Sequence, residues 1–305
     1  MIHGGGHVML SRKDVRPKQT QLLLDAGFIP VSVDYRLCPE TTLLEGPIAD
    51  VRDALGWARN TLPFLARKRP DIRINGDNVV AVGWSTGGTL ALSLGWTAPS
   101  AGLQPPQAIL AFYCPTDYED ECWSRENKPY GDATMGEEAY DLWEGVASSP
   151  ITAYNPPATA RAAGGWMTKN DPRSRIVLHM NWHGQTVPVL VHGLKNKAQN
   201  GVQNATLRLP APAPEQVQAI SPLAQIRQGT YRTPTFLVHP YGDDLIPWQQ
   251  AQRTADELAR QGVQTELRLI DNAVHLFDLY PRYDGNVDAS RAIADGYAFL
   301  SRYAA

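Results

Sequence analysis

The chain has 305 residues, of which 43% are hydrophobic, and a chain of this size can bury the core of one α/β domain. Its 28 Lys and Arg residues nearly balance 31 Asp and Glu residues, so the net charge of −3 creates no field that would attract nucleic acid or an anionic membrane. We therefore exclude nucleic acid and membranes as expected partners and expect a site for a small molecule.

Targeting and cysteine patterns predict a cytoplasmic protein. No run approaches the ~18 consecutive apolar residues of a membrane-spanning helix, and the opening residues Met-Ile-His-Gly-Gly-Gly do not resemble a signal peptide. The cysteines at positions 38, 114 and 122 cannot all pair, and they lack the Cys-x-x-Cys spacing of metal sites. We therefore expect free thiols in a reducing compartment, with no metal and no cofactor.

The first part of the chain alternates strand-like and helix-like segments. The pattern predicts strands over 28–35, 78–83 and 108–113, and helices over 47–61 and 86–97. Repeated strand and helix units are typical of a mostly parallel sheet flanked by helices on both faces. The predicted fold class is therefore α/β.

The same alternation returns near the carboxyl terminus. We predict strands over 235–239 and 264–269, and helices over 248–261 and 287–303. These units extend the same parallel sheet.

Residues 115–222 interrupt this alternation. The segment contains four tryptophans, at Trp123, Trp143, Trp166 and Trp182. A structureless loop of this length is implausible in a compact domain, so we predict a cap with its own helices, whose tryptophans line an acyl pocket. The predicted core then comprises 1–114 and 223–305, and a separately folded second domain is the alternative.

Two glycine-rich motifs indicate a serine nucleophile and its oxyanion hole. The sequence Gly-Trp-Ser-Thr-Gly at 83–87 follows a predicted buried strand, and His-Gly-Gly-Gly occupies 3–6. Together they are typical of the α/β-hydrolase fold, in which a strained turn exposes the serine. We predict Ser85 as the nucleophile, and the N–H groups of Gly5, Gly6 and Thr86 as oxyanion donors.

The serine needs an imidazole to accept its proton and a carboxylate to orient that imidazole. In this fold the acid and the histidine follow the serine in that order, after strands that end at one rim of the sheet. Asp243 and His275 follow the last two predicted strands and are the predicted acid and base. Asp244 is a rival for the acid, and His239 is a rival for the base that we interpret as a packed or rim residue.

Three further histidines and one basic cluster have simpler interpretations. We expect His3 to fix the glycine loop rather than to transfer protons. His179 and His183 have the spacing of helical zinc ligands, but the motif lacks its glutamate and 175–178 read as a strand, so no metal site is predicted. Residues 67–69, Arg-Lys-Arg, are interpreted as a solvated helix end, with docking of an acidic carrier protein as the alternative.

The motifs in combination resemble the hormone-sensitive-lipase-like branch of the α/β-hydrolases. Besides the two glycine-rich motifs and His275, the chain carries Asp-Tyr-Arg-Leu-Cys-Pro-Glu at 34–40 and Asp-Asp-Leu-Ile-Pro at 243–247. More narrowly, residues 31–40 and 175–194 are similar to the esterase or thioesterase domain at the carboxyl terminus of some fungal non-reducing polyketide synthases. The resemblance implies release of an aromatic polyketide acid from a carrier-protein thioester through an acyl-Ser85 intermediate.

Other functions remain open on the sequence. The same residues would serve a free-standing carboxylesterase for small acyl esters or an acyltransferase, and a non-catalytic binding protein with this fold is the remaining alternative. Since two residues precede the glycine loop, we also expect a truncated amino-terminal sheet edge, association through that edge, and origin from a longer synthase.

Overall fold

The fold is built on one parallel sheet. The computed structural model describes residues 1–69, 71–127, 142–157, 170–194, 208–280 and 284–304. In this part of the chain four strands pair in the order of the sequence: β1 (Ala81–Trp84), β2 (Ile109–Phe112), β3 (Thr235–Pro240) and β4 (Thr265–Ile270). The predicted α/β class with a parallel sheet is confirmed.

Helices follow and cover the strands. Those in the described ranges are α1 (Pro17–Asp25), α2 (Ala49–Asn60), α3 (Leu62–Ala66), α4 (Thr86–Ser100), α5 (Pro172–Trp182), α6 (Thr186–His192), α7 (Pro214–Ile220), α8 (Pro222–Arg227), α9 (Trp248–Arg260) and α10 (Val287–Ala304). Short turns of other helix types occur at Leu44–Ile48, Glu121–Ser124, Leu142–Gly145 and Phe277–Leu279. None of these helices is both long and apolar enough to cross a lipid bilayer.

Alternate residues of each strand face two different layers of the core. In β2, Leu110 and Phe112 join a cluster with side chains of α1 and α10. Ile109 and Ala111 point the other way, into a cluster formed with α2, α4 and α9. Because both faces of the sheet are covered, every residue of β1, β2 and β3 is buried, which explains their continuous apolar runs.

The strand predicted over 28–35 is wrong. Val33 forms a single-residue bridge to Ile2, and Ile2 forms another to Gly83, so the sheet continues beyond β1 only as isolated bridges in the described residues. This segment forms backbone hydrogen bonds with Met1, whose amino group donates to Val31 O over 2.7 Å. A ladder needs several consecutive partners, and the glycine loop turns away after Ile2.

The strand predicted over 175–178 is also wrong, because these residues lie inside α5. The Asp171 side chain accepts a hydrogen bond from Ser174 N over 2.7 Å and caps the helix, and Pro172 occupies its first position. Ile176, Val177 and Leu178 are all buried. Periodicity cannot separate a short buried helix from a buried strand, which is the reason for the error.

The basic cluster at 67–69 follows α3 near the amino end of β1. A Cβ atom added to Gly76 would lie 2.9 Å from Pro63 of α3, and residues 76–80 lead into β1. Ser85 follows the opposite, carboxyl end of the same strand. The cluster therefore lies at the end of the sheet away from the serine.

Candidate active site

Ser85 occupies a strained turn between β1 and α4. Its backbone has φ 53° and ψ −132°, a conformation that non-glycine residues rarely adopt. Neighbouring glycines make the turn possible, since a Cβ on Gly83 would lie 2.0 Å from Gly87 O and a Cβ on Gly87 would lie 2.2 Å from Ile2 O. The turn holds the Ser85 hydroxyl at the carboxyl end of the sheet.

A continuous hydrogen-bonded chain joins the three predicted catalytic side chains. Nε2 of His275 lies 3.0 Å from Oγ of Ser85, and its Nδ1 lies 2.8 Å from Oδ2 of Asp243. His275 stands in the loop after β4, where Leu276 takes φ 61°. Ser85 and His275 are buried at 8% and 6% exposure. This arrangement can accept a proton from the hydroxyl and pass it to a leaving group.

The Asp243 carboxylate is fully buried and saturated with donors. Its Oδ1 accepts from the N–H groups of Leu245 and Ile246 over 3.0 and 2.9 Å. Burial alone would raise the pKa of Asp243, but the charge of His275 and hydrogen bonds from His239 and His275 hold that pKa well below its usual range. An ionised carboxylate therefore faces His275, whereas the neighbouring Asp244 is exposed.

The glycine loop lies beside the serine and carries free backbone donors. Gly5 and Gly6 have φ 99° and 67°, which favour glycine. Within the described ranges, the N–H groups of Gly5, Gly6 and Thr86 have no hydrogen-bond acceptor. The N–H of His7 donates to Oγ1 of Thr86 over 3.2 Å and ties the loop to the first turn of α4. Unpaired N–H groups in this position can stabilise a negatively charged oxygen.

Side chains from elsewhere hold the loop in place. The His3 ring stacks on Tyr35 at 4.2 Å between centroids, and the Tyr35 hydroxyl donates to His3 O over 2.9 Å. Burial lowers the pKa of His3 to about 4, so its imidazole is neutral at physiological pH.

Helix α5 braces the same loop through a buried ion pair. The Arg173 guanidinium donates to Glu40 Oε1 over 2.6 Å, to Cys38 O over 2.7 Å and to Val8 O over 2.7 Å. Both charged side chains are 2% exposed. Three segments that are distant in sequence thus meet at one guanidinium.

A second contact with the glycine loop comes from the next turns of α5. A Cβ on Gly6 would lie 3.1 Å from a methyl group of Val177. The helix therefore touches the loop that carries the free donors.

Two residues that contact Asp243 or His275 were not predicted to do so. His239, interpreted as a packed or rim residue, places Nε2 3.2 Å from Asp243 Oδ2. Tyr113, at the end of β2, packs its ring edge-on against His275 at 4.9 Å between centroids and donates to Asp278 Oδ1 over 2.5 Å. Residue spacing gives no signal for Tyr113, whereas a histidine four residues before the acid is a signal for His239.

A cavity of about 310 Å³ extends from the serine. Its wall is mainly apolar and includes Met9, Leu10, Tyr118, Trp123, Val177 and Met180. Of the tryptophans expected to line an acyl pocket, Trp123 does so, Trp143 and Trp182 do not, and Trp166 lies outside the described residues. The cavity can hold an apolar or aromatic group next to the hydroxyl.

Comparison with family models covers most of the chain. Residues 1–172 match the model of the family described as alpha/beta hydrolase fold, and residues 197–305 match that of the prolyl oligopeptidase family.

Similar proteins include much longer fungal synthases. The chain is 60% identical over 301 residues to non-reducing polyketide synthase adrD of Penicillium rubens, covering 98% of the chain and 12% of the synthase. It is 54% identical over 309 residues to 5-methylorsellinic acid synthase of Aspergillus terreus, covering 99% and 12% respectively. The chain thus spans about an eighth of the length of these relatives, within their C-terminal region.

Solved structures share the fold at low sequence identity. An alpha/beta hydrolase superfamily protein from Enterococcus faecalis aligns with a TM-score of 0.63 and 14% identity, covering 98% of this chain and 88% of that one. Carboxyl esterase 2 from Tuber melanosporum aligns with a TM-score of 0.58 and 16% identity, covering 98% and 75%. With a matching family model over more than half its length, the chain belongs to the α/β-hydrolase family and is a hydrolase.

Proposed function

We propose that this protein is a serine thioesterase that releases an aromatic polyketide acyl group from a carrier-protein thioester. Ser85 is the nucleophile, His275 the general base and acid, and Asp243 the orienting carboxylate. The observation that carries the proposal is the hydrogen-bonded chain from Asp243 through His275 to Ser85, at 2.8 and 3.0 Å, opening into an apolar cavity. Such a chain has little use in a purely binding protein.

In the first half of the proposed reaction, Oγ of Ser85 attacks the acyl carbon while its proton moves to Nε2 of His275. The N–H groups of Gly5, Gly6 and Thr86 stabilise the negative oxygen of the tetrahedral intermediate, at about 3 to 4 kcal/mol per donor. The carbon–sulfur bond then breaks and the leaving thiol takes the proton from His275.

In the second half, His275 removes a proton from water, which attacks the acyl carbon of the acyl-Ser85 ester. The bond between that carbon and Oγ then breaks, Oγ takes the proton from His275, and a carboxylic acid is released. This outcome fits the relative named 5-methylorsellinic acid synthase, whose named product is an aromatic acid. The name of the other reported relative, non-reducing polyketide synthase adrD, supports an acyl group delivered by a polyketide synthase.

We further propose that 115–222 form a cap over a core made of 1–114 and 223–305. Cavity residues Tyr118, Trp123, Val177, Met180 and Leu190 support this division, because all belong to the interrupting segment. The cap would set the size of the acyl group and limit the access of water.

The decisive experiment compares Ser85→Ala with the wild-type protein. The substrate is the N-acetylcysteamine thioester of a dihydroxymethylbenzoic acid, and the readout is thiol release. We expect kcat to fall by about 10⁶-fold, as when the nucleophile of a triad is removed. Ser100→Ala, at the far end of α4, is the matched control and should keep the wild-type rate. Full activity of Ser85→Ala would end the proposal.

Two further measurements narrow the substrate class. The ratio of kcat/KM for the aryl thioester to that for p-nitrophenyl butyrate should exceed one, and a ratio well below one would favour a carboxylesterase for small esters. Mass spectrometry of the protein quenched during turnover should find the acyl group on the peptide that contains Ser85.

A further inference from the structure

The Asp243 carboxylate receives a second imidazole besides His275. Nε2 of His239 lies 3.2 Å from Asp243 Oδ2 and 3.0 Å from the carbonyl oxygen of Ile246. A carboxylate oxygen and a carbonyl oxygen can only accept. His239 therefore carries its proton on Nε2 and shares it between the two oxygens.

From this geometry we propose that His239 is a positioning residue, which holds the Asp243 carboxylate in the orientation that receives the N–H of His275. The proposal rests on the proposed function, because it assigns His239 a task in the same reaction. His239 contacts Asp243 and Ile246 rather than Ser85, so its influence on the serine passes through the acid.

Within the described part of the chain, no further donor contacts the Asp243 carboxylate that could replace His239. Its Oδ1 is occupied by the N–H groups of Leu245 and Ile246, and its Oδ2 by His275 and His239. The Asp243 side chain is 0% exposed and the His239 side chain is 1% exposed. Without the His239 donor, half of the acceptor capacity of Oδ2 would be unsatisfied in a region closed to water, and the carboxylate could turn to share another donor.

The second hydrogen bond of His239 fixes the loop that carries the acid. His239 is part of β3, and Ile246 lies on the far side of the turn that contains Asp243. The shared proton thus joins the end of the strand, the acid and the end of the turn. These contacts hold Asp243 in a fixed position although it lies on a loop after the strand.

The test compares two substitutions of nearly equal size. His239→Leu removes the donor, whereas His239→Gln keeps an amide N–H at the reach of the imidazole Nε2. We expect kcat for the aryl thioester to fall by about 10- to 100-fold in His239→Leu, since displacement of a catalytic group by about 1 Å costs that much. KM should stay within about twofold, because the His239 side chain itself does not line the cavity. His239→Gln should recover most of the rate.

A spectroscopic readout separates positioning from general damage. The proton shared by His275 Nδ1 and Asp243 should give a far-downfield proton NMR signal in the wild type and in His239→Gln. In His239→Leu this signal should broaden or disappear while the thermal unfolding curve remains cooperative.

Each outcome has a definite meaning. A folded His239→Leu protein with wild-type kcat, or equal losses in the Leu and Gln variants, would overturn the assignment. If His239→Leu does not fold, His239→Asn replaces it, since its shorter amide does not reach Asp243, and equal rates for Asn and Gln would also overturn the assignment. Full activity of Ser85→Ala refutes the proposed function instead, whereas an inactive Ser85→Ala with unaffected His239 variants refutes only this inference.

Discussion

The two halves of the site are held by different forces. Asp243 and His275 follow β3 and β4, which pair over six residues, so a regular backbone ladder positions them. The glycine loop instead follows Ile2, and Ile2 joins the sheet only by isolated bridges. Buried side chains such as Tyr35 and Arg173 support the loop through hydrogen bonds. A ladder spreads its free energy over many bonds, whereas the loop depends on a few. Single substitutions should therefore affect the loop half more strongly.

The largest expected effect is that of Arg173→Met. The change leaves the Glu40 carboxylate buried without its cation, which should lower the free energy of unfolding by about 3 to 5 kcal/mol, measured by urea denaturation. Arg302→Met, which breaks the exposed pair with Glu266, is the control and should change stability by less than about 1 kcal/mol. Adding Glu40→Leu to Arg173→Met should restore much of the loss. Equal effects of the buried and exposed substitutions would remove the distinction between the halves.

The next effect concerns pH. Burial lowers the pKa of His3 to about 4, and burial with the nearby charge of His3 lowers that of His7 to about 3. Since the pKa of an unfolded histidine is about 6.5, each contributes stability that is complete above that pH and is lost as the pH falls towards its folded pKa. The expected slope between pH 6 and pH 4.5 is up to about 1.4 kcal/mol per pH unit for each histidine.

Denaturant unfolding at several pH values measures this slope of the unfolding free energy. His3→Gln should reduce the slope by the contribution of one histidine. Asp243 has its pKa lowered, so it adds stability above the unfolded value of 3.8 and loses it only below that pH. The contribution of Asp243 is therefore nearly constant between pH 4.5 and pH 6, where the contributions of His3 and His7 change. Constant stability across that window would show that the loop histidines are not buried as neutral rings.

The smallest effect compares two buried tyrosines. Tyr35→Phe removes the hydroxyl that donates to His3 O, and Tyr231→Phe removes one that lies 2.9 Å from Oγ1 of Thr235 at the start of β3. Both variants should lose about 1 kcal/mol of stability, the usual value of one such bond. Only Tyr35→Phe should also lower kcat for the aryl thioester, because only Tyr35 braces the glycine loop. An equal loss of kcat in Tyr231→Phe would contradict the distinction between the glycine-loop half of the site and the strand half.

Sequence patterns predicted the regular half of the fold better than the irregular half. The strands before Ser85 and Asp243 are short apolar runs, the strand before His275 alternates polar and apolar residues, and their parallel arrangement is confirmed. The segment 28–35 has the same composition but lacks consecutive pairing partners, a property that no local pattern contains. The composition of a segment indicates whether it is buried, whereas strand pairing depends on the segments that lie next to it in the fold.

The site shows the same limit. The motifs named Ser85, Asp243 and His275, and the structure brings these side chains within hydrogen-bonding distance, while their catalytic roles stay predictions. The link from Arg173 to Glu40 joins residues 133 positions apart, so spacing could not predict it. The spacing of four residues between His239 and Asp243 was available, but the predicted strand indicates only that the ring is buried and not which group its nitrogen contacts.

The contact of Val177 with Gly6 has a consequence for substrate choice. Helix α5 forms part of the cavity wall and also touches Gly6, one of the proposed oxyanion donors. An acyl group too bulky for the cavity would press on this helix and shift the donor away from the carbonyl oxygen. Discrimination by size should then appear as slow acylation of molecules that still bind, so a poor substrate would behave as a competitive inhibitor.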